Sequence, residues 1–296
     1  MEKSIGNKDS SHLPDATRIG YVELRVHDRE RVLKFYRDLL GLREVRSDGT
    51  RVYLGAGDQP IFVLNEDKSA RPRTHGTTGL FHVAVLYKNR RELARILHRV
   101  ADSHYPFQGF ADHGVSEALY LSDPEGNGIE LYADRPRDLW KRKNGNLEMI
   151  TGSLNIEDLL AELKNDDRRW DGADPETRIG HIHLQVSDLA KAETFYREIL
   201  GFDVTQRSYP GAIFFAAGGY HHHIGANVWN SRNSAPADPN CIGLVQFSVQ
   251  VPDKGTLGGL HARLGQLGRP NERSSNGASL ATGDFDNIRI VIQSVS

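Results

Sequence analysis

The sequence predicts an α+β fold made of four βαβββ modules in two tandem domains. The main observation is an internal repeat, because residues 19–42 and 179–202 match closely and share one order of strand, turn and helix. Weaker copies of that order occupy residues 79–100 and 243–264. The length of 296 residues also agrees with two domains, each holding two modules.

Each module opens with a strand that leads into a helix. In the first module, apolar and polar residues alternate over positions 22–26, which is the period of a half-buried strand. Asp28 and Gly41 stand where the N-cap and the end of the following helix belong. Asp188 and Gly201 take the same positions in the third module. The repeat therefore predicts the same strand and helix in both copies.

Further short strands complete each module. The turn residues GAGDQP at 55–60 and DPEGNG at 123–128 lie between apolar runs and predict hairpins in the first two modules. Residues 212–229 and 279–293 supply the corresponding strands of the last two modules. The pattern predicts modules at about 19–65, 79–134, 179–229 and 243–296.

The order of the modules predicts the organisation of the chain. Residues 1–17 are expected to form a flexible N-terminal arm. A first domain at 18–134 would hold modules one and two, and a second domain at 178–296 would hold modules three and four. Residues 135–177 would then form a linker with a short helix around 156–163.

Composition excludes several classes of partner and site. Lys and Arg number 37 against 39 Asp and Glu, so a net charge of -2 offers no field that attracts nucleic acid or an anionic membrane. The single cysteine, Cys241, excludes intrachain disulfides and cysteine-based zinc clusters. No apolar run reaches about 18 residues, and the polar start lacks the core of a signal peptide, so a cytoplasmic protein is expected.

The common register of the four modules points to a metal site. The position that opens the first strand is Tyr21, His82, His181 and Gln246 in modules one to four, and Glu130 lies in the last strand of module two. Two imidazoles and one carboxylate leave further positions of a metal open, as in non-haem Fe(II) oxygenases. The sequence therefore predicts that His82, His181 and Glu130 bind a metal. A zinc or nickel hydrolase or lyase site has the same donors and stays an alternative.

Other histidines compete for a role at this site. His183 follows His181 by two residues on the same face of the strand, and is either a rival ligand or a support for one. The run His221, His222 and His223 stands at the last hairpin of module three, where alternate side chains point to opposite faces. One of them, or the pair His221 and His223, is expected to face the metal, where a histidine is a natural proton shuttle.

Two residues of module two are further candidates. Tyr120 lies ten residues before Glu130, although strand tyrosines commonly belong to the core. His113 lies in a loop next to Gly114, where it is either solvated or part of the site.

With these motifs, residues 19–134 and 179–296 resemble the vicinal-oxygen-chelate superfamily, whose βαβββ modules pair into cups around a metal. The resemblance is carried by DPEGNGIE at 123–130 and by the two IG…FYR(D/E)(L/I)LG(L/F) stretches. Within that superfamily the chain is similar to the two-domain type I extradiol ring-cleaving dioxygenases of the catechol 2,3-dioxygenase kind.

The resemblance implies an activity and a role for each candidate. The implied reaction is ring cleavage of a catechol by O2 to a 2-hydroxymuconic semialdehyde, with Fe(II), or alternatively Mn(II), as the cofactor. The implied roles are metal ligation by His82, His181 and Glu130, acid–base catalysis by His222, and hydrogen bonding to substrate by Tyr120 and His113.

In one respect the chain departs from that family. Its best-known members draw all three ligands from the last two modules, whereas module four here has Gln246 and no carboxylate between Asn287 and the C-terminus. We therefore expect modules two and three to form the working cup and modules one and four to form a cup without metal.

Two alternative functions and the oligomeric state stay open at this point. A glyoxalase-type isomerase or lyase commonly uses four ligands, two of them Glu, and here the fourth position is expected to fall in the histidine run. A small-molecule-binding resistance protein of the same fold would lack the metal. The sequence does not decide between a monomer and a homo-oligomer.

Overall fold

The computed structural model describes residues 12–143, 146–164, 166 and 168–296. Its four modules follow the predicted order of strand, helix and three further strands. Module one consists of β1 (Arg18–Val26), α1 (Arg29–Leu33) with a π-helical extension (Lys34–Leu39), β2 (Arg43–Asp48), β3 (Arg51–Gly55) and β4 (Phe62–Glu66). Module two consists of β5 (Gly79–Leu86), α2 (Arg90–Asp102), β6 (Gly109–Asp112), β7 (Ser116–Ser122) and β8 (Gly128–Asp134).

The linker contains short elements before the second half begins. They are a 3₁₀ turn (Arg137–Leu139), β9 (Arg142–Lys143), β10 (Asn146–Leu147) and α3 (Ile156–Leu160), which a 3₁₀ turn (Ala161–Leu163) extends. Module three consists of β11 (Arg178–Gln185), α4 (Leu189–Glu193) with a π-helical extension (Thr194–Ile199), β12 (Asp203–Gln206), β13 (Ala212–Ala216) and β14 (Ile224–Asn227). Module four consists of β15 (Gly243–Val251), α5 (Lys254–Gln266), β16 (Asn271–Arg273), β17 (Ser279–Gly283) and β18 (Arg289–Ser294).

The strands form two eight-stranded sheets that each combine modules from both halves of the chain. One sheet has the order β16-β17-β18-β15-β1-β4-β3-β2 and joins module four to module one. The other has the order β12-β13-β14-β11-β5-β8-β7-β6 and joins module three to module two. Antiparallel pairs, β1 with β15 and β5 with β11, hold the two modules of each sheet together. The expected pairing of modules two and three is therefore confirmed.

Helix starts follow the sequence signals, whereas the helices of modules one and three differ in shape from the prediction. Asp28 and Asp188 cap these helices by accepting backbone N–H groups of the first turn. Each continues after five residues as a six-residue π-helix instead of one amphipathic α-helix. Gly41 and Gly201 then turn the chain at φ 75° and 92°, values that favour glycine.

The described part of the N-terminal arm packs against module three. Leu13 is buried, and its backbone N–H donates to the carbonyl of Gly201 over 2.8 Å. Residues 1–11 of the expected arm lie outside the described residues. Within the described part of the chain, no helix has the length and apolar character that crossing a membrane requires.

Candidate active site

The register of the second sheet places the candidate side chains in two rows on one face. His181 pairs with Ala84, Ala84 pairs with Glu130, and Glu130 pairs with Tyr120 across four neighbouring strands. Directly paired residues project to the same face of a sheet, so these side chains share one surface. The small Ala84 stands between His181 and Glu130 in the sheet and lets their longer side chains meet. In the adjacent row His183 pairs with His82.

The three predicted metal ligands converge at this face. One ligand atom from each of His82, Glu130 and His181 lies within 4.8 Å of the others, and all three residues are buried. The Nε2 atoms of His82 and His181 lie 3.0 and 3.1 Å from the same carboxylate oxygen, Oε2 of Glu130. His82 Nε2 has no hydrogen-bond partner in spite of this short distance. Two nitrogens directed at one oxygen, one of them unpaired and buried, are the arrangement that a shared cation would satisfy.

The protonation states also suit a metal. Burial raises the pKa of the Glu130 carboxyl, but the imidazoles of His181 and His82 outweigh burial and hold that pKa well below its usual range. Burial lowers the pKa of His181 to about 4, in spite of the nearby carboxylate. An ionised carboxylate and neutral imidazoles are the forms that bind metal ions. The donor set therefore fits a divalent ion such as Fe(II) or Mn(II).

His183 lies beside the three ligands but outside their group. Its ring centroid is 5.0 Å from that of His82, and its Nε2 is buried without a hydrogen-bond partner. Gly225 on β14 pairs with His183, and a Cβ at Gly225 would lie 3.0 Å from the His183 ring. The glycine therefore provides the space in which this imidazole sits.

A cavity of about 450 Å³ opens beside the ligand group. His82, Glu130 and His181 line it together with five aromatic side chains: Phe81, Tyr120, Tyr209, Phe214 and Trp229. The linker contributes Met149, Ile150 and Thr151. No Lys or Arg is among the described residues that line the cavity, so its aromatic and aliphatic walls lie next to the candidate metal ligands without a cationic side chain.

Tyr120 and His113 both reach this cavity and contact each other. His113 Nε2 lies 2.7 Å from the Tyr120 hydroxyl, and His113 Nδ1 lies 2.8 Å from the carbonyl oxygen of Ile150. A carbonyl oxygen only accepts, so Nδ1 carries the hydrogen, and Nε2 of the neutral ring accepts from the Tyr120 hydroxyl. Burial raises the pKa of Tyr120 well above its usual range, so this phenol stays protonated.

Of the three consecutive histidines, His222 is the one that reaches the cavity. Its ring centroid is 4.0 Å from that of His181. His221 is fully buried and bonds to Asp134, while His223 accepts the backbone N–H of Ala217 through Nδ1. His222 thus points to the cavity, whereas His221 and His223 have partners elsewhere. The sequence leaves two arrangements open, and the structure has the one with a single histidine at the cavity.

In the sheet of modules one and four, the corresponding face carries a different set of side chains. Glu23 is buried and accepts hydrogen bonds from Arg51, Asn65 and Gln246 over distances of 2.8 to 3.0 Å. Gln246 also donates to the Tyr21 hydroxyl over 3.1 Å. An arginine and two amides therefore satisfy the carboxylate that this cup contains.

Comparison with known proteins shows the family. The family model of the Glyoxalase/Bleomycin resistance protein/Dioxygenase superfamily matches residues 18–131 and 178–276. The chain therefore belongs to this superfamily. In particular, it is similar to a catechol-2,3-dioxygenase of Bacillus subtilis (strain 168), with 42% identity over 272 residues that cover 88% of this chain and 92% of the relative.

Solved structures share the fold at low sequence identity. A putative dioxygenase from Bacillus subtilis has a TM-score of 0.66 and 13% identity, covering 94% of this chain and 84% of that one. Glyoxalase I from Zea mays has a TM-score of 0.57 and 15% identity, covering 94% of this chain and 92% of that one. Both structural similarities agree with an α+β fold of tandem modules.

Sequence reasoning missed the contribution of the linker and one detail of the register. The hydrogen bond from His113 goes to the main-chain carbonyl of Ile150, and a main-chain contact leaves no signal in the residue type. The fourth-ligand position was expected within the histidine run. In the strand register, Gly225 pairs with His183, and Glu130 pairs with Ala84. His183 and Ala84 hold the same position in the first strands of their modules, so Gly225 is the residue of module three that corresponds to Glu130. This expectation was wrong because the run precedes β14 and does not form part of the strand.

Proposed function

We propose that this chain is an extradiol ring-cleaving dioxygenase, which uses O2 to open the ring of a catechol and yields a product of the 2-hydroxymuconic semialdehyde type. The observation that carries the proposal is the buried group of His82, Glu130 and His181 beside an apolar cavity. The 42% identity to a catechol-2,3-dioxygenase over most of the chain supports the same reaction.

His82, Glu130 and His181 would hold the metal. Fe(II) and Mn(II) both accept two imidazoles and one carboxylate, and the donor set alone does not select between them. Bound here, either ion would supply the Lewis acidity and the redox chemistry that let a catechol combine with O2. The protein's part is to fix the three ligands on adjacent strands and to leave the cavity side of the site open.

Two further side chains, Tyr120 and His222, would act on the substrate itself, and His113 would support Tyr120. Tyr120 is paired with Glu130 across the sheet, so its hydroxyl is placed to hydrogen-bond with a catechol oxygen beside the metal. His113 holds the Tyr120 hydroxyl and would fix its direction. His222 would hold and deliver a proton, because it is the imidazole that faces the cavity without belonging to the ligand group.

The number of ligands favours a dioxygenase over a glyoxalase-type isomerase. In module three, Gly225 occupies the position that corresponds to Glu130 of module two, and a glycine supplies no carboxylate. Its Cβ would already lie 3.0 Å from the His183 ring, so a longer side chain has no room there. His82, Glu130 and His181 would hold the metal as its three protein ligands and would leave its other positions free for a catechol and O2.

The walls of the cavity favour neutral catechols. Aromatic side chains from both modules line the cavity, and no Lys or Arg is among the described lining residues. A carboxylate on the ring would lose its hydration without gaining a cationic partner, which costs several kcal/mol. We therefore expect catechol and alkyl- or aryl-substituted catechols to be preferred over carboxylated ones.

The test is to purify the protein without oxygen, measure its metal content and record O2 uptake with catechol, methylcatechols, dihydroxybiphenyl and a carboxylated catechol. Stoichiometric O2 uptake with a yellow ring-opened product supports the proposal. Full metal loading with no O2 uptake on any neutral catechol contradicts it. The His82→Ala protein is the control, since it removes one proposed ligand and leaves the aromatic side chains of the cavity in place.

A further inference from the structure

Behind His222 lies a chain of hydrogen-bonded groups that leads out of the cavity. His222 Nδ1 lies 2.8 Å from Nδ1 of His221, and His221 Nε2 lies 2.9 Å from Oδ1 of Asp134. The side chain of His221 is fully buried, whereas that of Asp134 is 25% exposed. Asp134 is therefore the end of this chain that contacts solvent, and His222 is the end that contacts the cavity.

The polarity of these hydrogen bonds follows from the acceptor at one end. A carboxylate accepts only, so Nε2 of His221 must carry a hydrogen and donate it to Asp134. Nδ1 of a neutral His221 is then an acceptor, so Nδ1 of His222 must be the donor between the two rings. A neutral His222 has no second hydrogen, and its Nε2 is left as a hydrogen-bond acceptor.

Aromatic side chains pack around His221. The Tyr220 ring packs on the His221 ring at a centroid distance of 4.1 Å, and its hydroxyl donates to Oδ1 of Asp134 over 3.2 Å. His221 also contacts the Trp140 ring, with centroids 5.5 Å apart. β8 carries Asp134 four residues after Glu130, so one strand positions both the metal ligand and the end of the chain.

We propose that Asp134 and His221 are positioning residues that hold His222 in a single tautomer, with Nδ1 protonated and Nε2 accepting at the substrate. This inference rests on the proposed function, since it gives His222 a substrate to act on. It adds that the first role of a neutral His222 is to accept a hydrogen bond from the catechol, and that Asp134 acts on the substrate only through two imidazoles. In the catalytic triads of hydrolases, a carboxylate likewise holds an imidazole in the tautomer that accepts a proton from the reacting group.

The central test compares the variants Asp134→Asn and Tyr220→Phe with the wild-type holoenzyme. An asparagine amide can donate to His221 Nε2, which reverses both hydrogen bonds and moves the hydrogen of His222 from Nδ1 to Nε2. Turnover of Asp134→Asn should fall by about 10²- to 10⁴-fold, with little change in KM and unchanged metal content. Tyr220→Phe removes the other hydrogen bond to Asp134 but keeps the ring beside His221, and should retain turnover within about threefold.

A second measurement is independent of turnover. In protein loaded with diamagnetic zinc, nitrogen-15 NMR of the histidine rings should show His222 protonated at Nδ1 in the wild type and at Nε2 in Asp134→Asn. Asp134→Glu restores a carboxylate and should recover the wild-type tautomer. An inactive wild-type enzyme contradicts the proposed function and leaves this tautomer test intact. An unchanged tautomer in Asp134→Asn, equal turnover, or loss of metal from that variant each overturns the positioning role.

Discussion

At the scale of single residues, the site is defined by two imidazoles that meet one carboxylate oxygen. Glu130 is buried, and its ionised form is held by His82 and His181. The buried His82 Nε2 lies 3.0 Å from Oε2 of Glu130 without forming a hydrogen bond, which is an arrangement that a bound cation would satisfy. We therefore expect the three side chains to act as a unit in which each member matters for metal binding.

Replacing Glu130 by Gln should lower metal affinity by at least about tenfold, because the amide oxygen lacks the charge that balances a divalent ion. The change keeps the size of the side chain. The measurement is metal content after dialysis against a chelator of known affinity. Glu23→Gln is the matched control, since Glu23 is the buried carboxylate of the other cup. Wild-type metal retention in Glu130→Gln would exclude this residue as a ligand.

Replacing His222 by Gln should reduce turnover by about 10²- to 10⁴-fold and leave metal content unchanged, because the residue faces the cavity and lies outside the group of three proposed ligands. Steady-state O2 uptake and metal analysis of the same samples measure both effects. His223→Gln is the control, because His223 bonds to the backbone of Ala217 instead of facing the cavity. Equal turnover in His222→Gln and the wild type would remove His222 from the reaction.

At the scale of secondary-structure elements, two buried tyrosines tie the sheets together. Tyr36, in the π-helical part of module one, donates to Asp123 over 3.1 Å, and Asp123 begins the turn before β8 in module two. Tyr196 donates in the same way to Asp284 of module four over 2.8 Å. Each bond connects a module of one sheet to a module of the other. The repeated FYR motif therefore encodes a contact between successive modules as well as a helix.

The Tyr196–Asp284 contact should make stability depend on pH. Burial raises the pKa of Asp284 from 3.8 to about 6, more than its hydrogen bonds lower it. Between pH 4 and 6 the folded chain thus binds a proton that the unfolded chain does not, and the contribution of this group to stability is lost as pH rises through 6. Relative to Asp284→Asn, the wild type should lose up to about 3 kcal/mol between pH 4 and 7.

Urea unfolding of both proteins at pH 4.5 and pH 7 measures this difference. Asp48→Asn is the control for the removal of one negative charge, because Asp48 is exposed at the end of β2. If the free energy of unfolding changes equally with pH in the wild type and in Asp284→Asn, the Asp284 carboxyl has the same pKa in the folded and unfolded chains, which contradicts the prediction.

At the scale of the whole molecule, each sheet is built from one module of each half of the chain. β5 and β11 pair at the centre of one sheet, and β1 and β15 pair at the centre of the other. The candidate metal site lies across the β5–β11 pair, with His82 and Glu130 from the first half and His181 from the second. Neither half of the chain contains a complete site or a complete sheet.

Separate fragments should therefore bind metal only together. Residues 1–164 and 165–296, expressed alone, each expose the two strands that form the sheet centres, and unpaired strands of this kind favour aggregation. Neither fragment should retain the metal after desalting, whereas co-expression should restore both metal binding and O2 uptake. Metal analysis of each sample checks this. A metal-loaded, active 1–164 fragment would show that His181 is dispensable.

Much of the architecture was predictable because the repeat carries it. Caps at Asp28 and Asp188 and glycines at Gly41 and Gly201 are local signals, and local signals depend on neighbouring residues alone. The candidate ligands were predictable because repeat positions could be compared. The pairing of modules two and three was predictable because module four has Gln246 at the histidine position and no carboxylate after Asn287. The π-helical turns were not predictable from the sequence, because they depend on how each helix packs on its sheet.

The sequence by itself thus determined the modules, their pairing and a short set of candidate site residues. Only the tertiary structure decided which of three consecutive histidines faces the cavity, that Asp134 lies behind His221, and that the carbonyl of Ile150 holds His113. The physical reason is that periodicity and capping act between residues close in sequence. Ring orientation and main-chain hydrogen bonds instead depend on strands that meet only in the folded sheet.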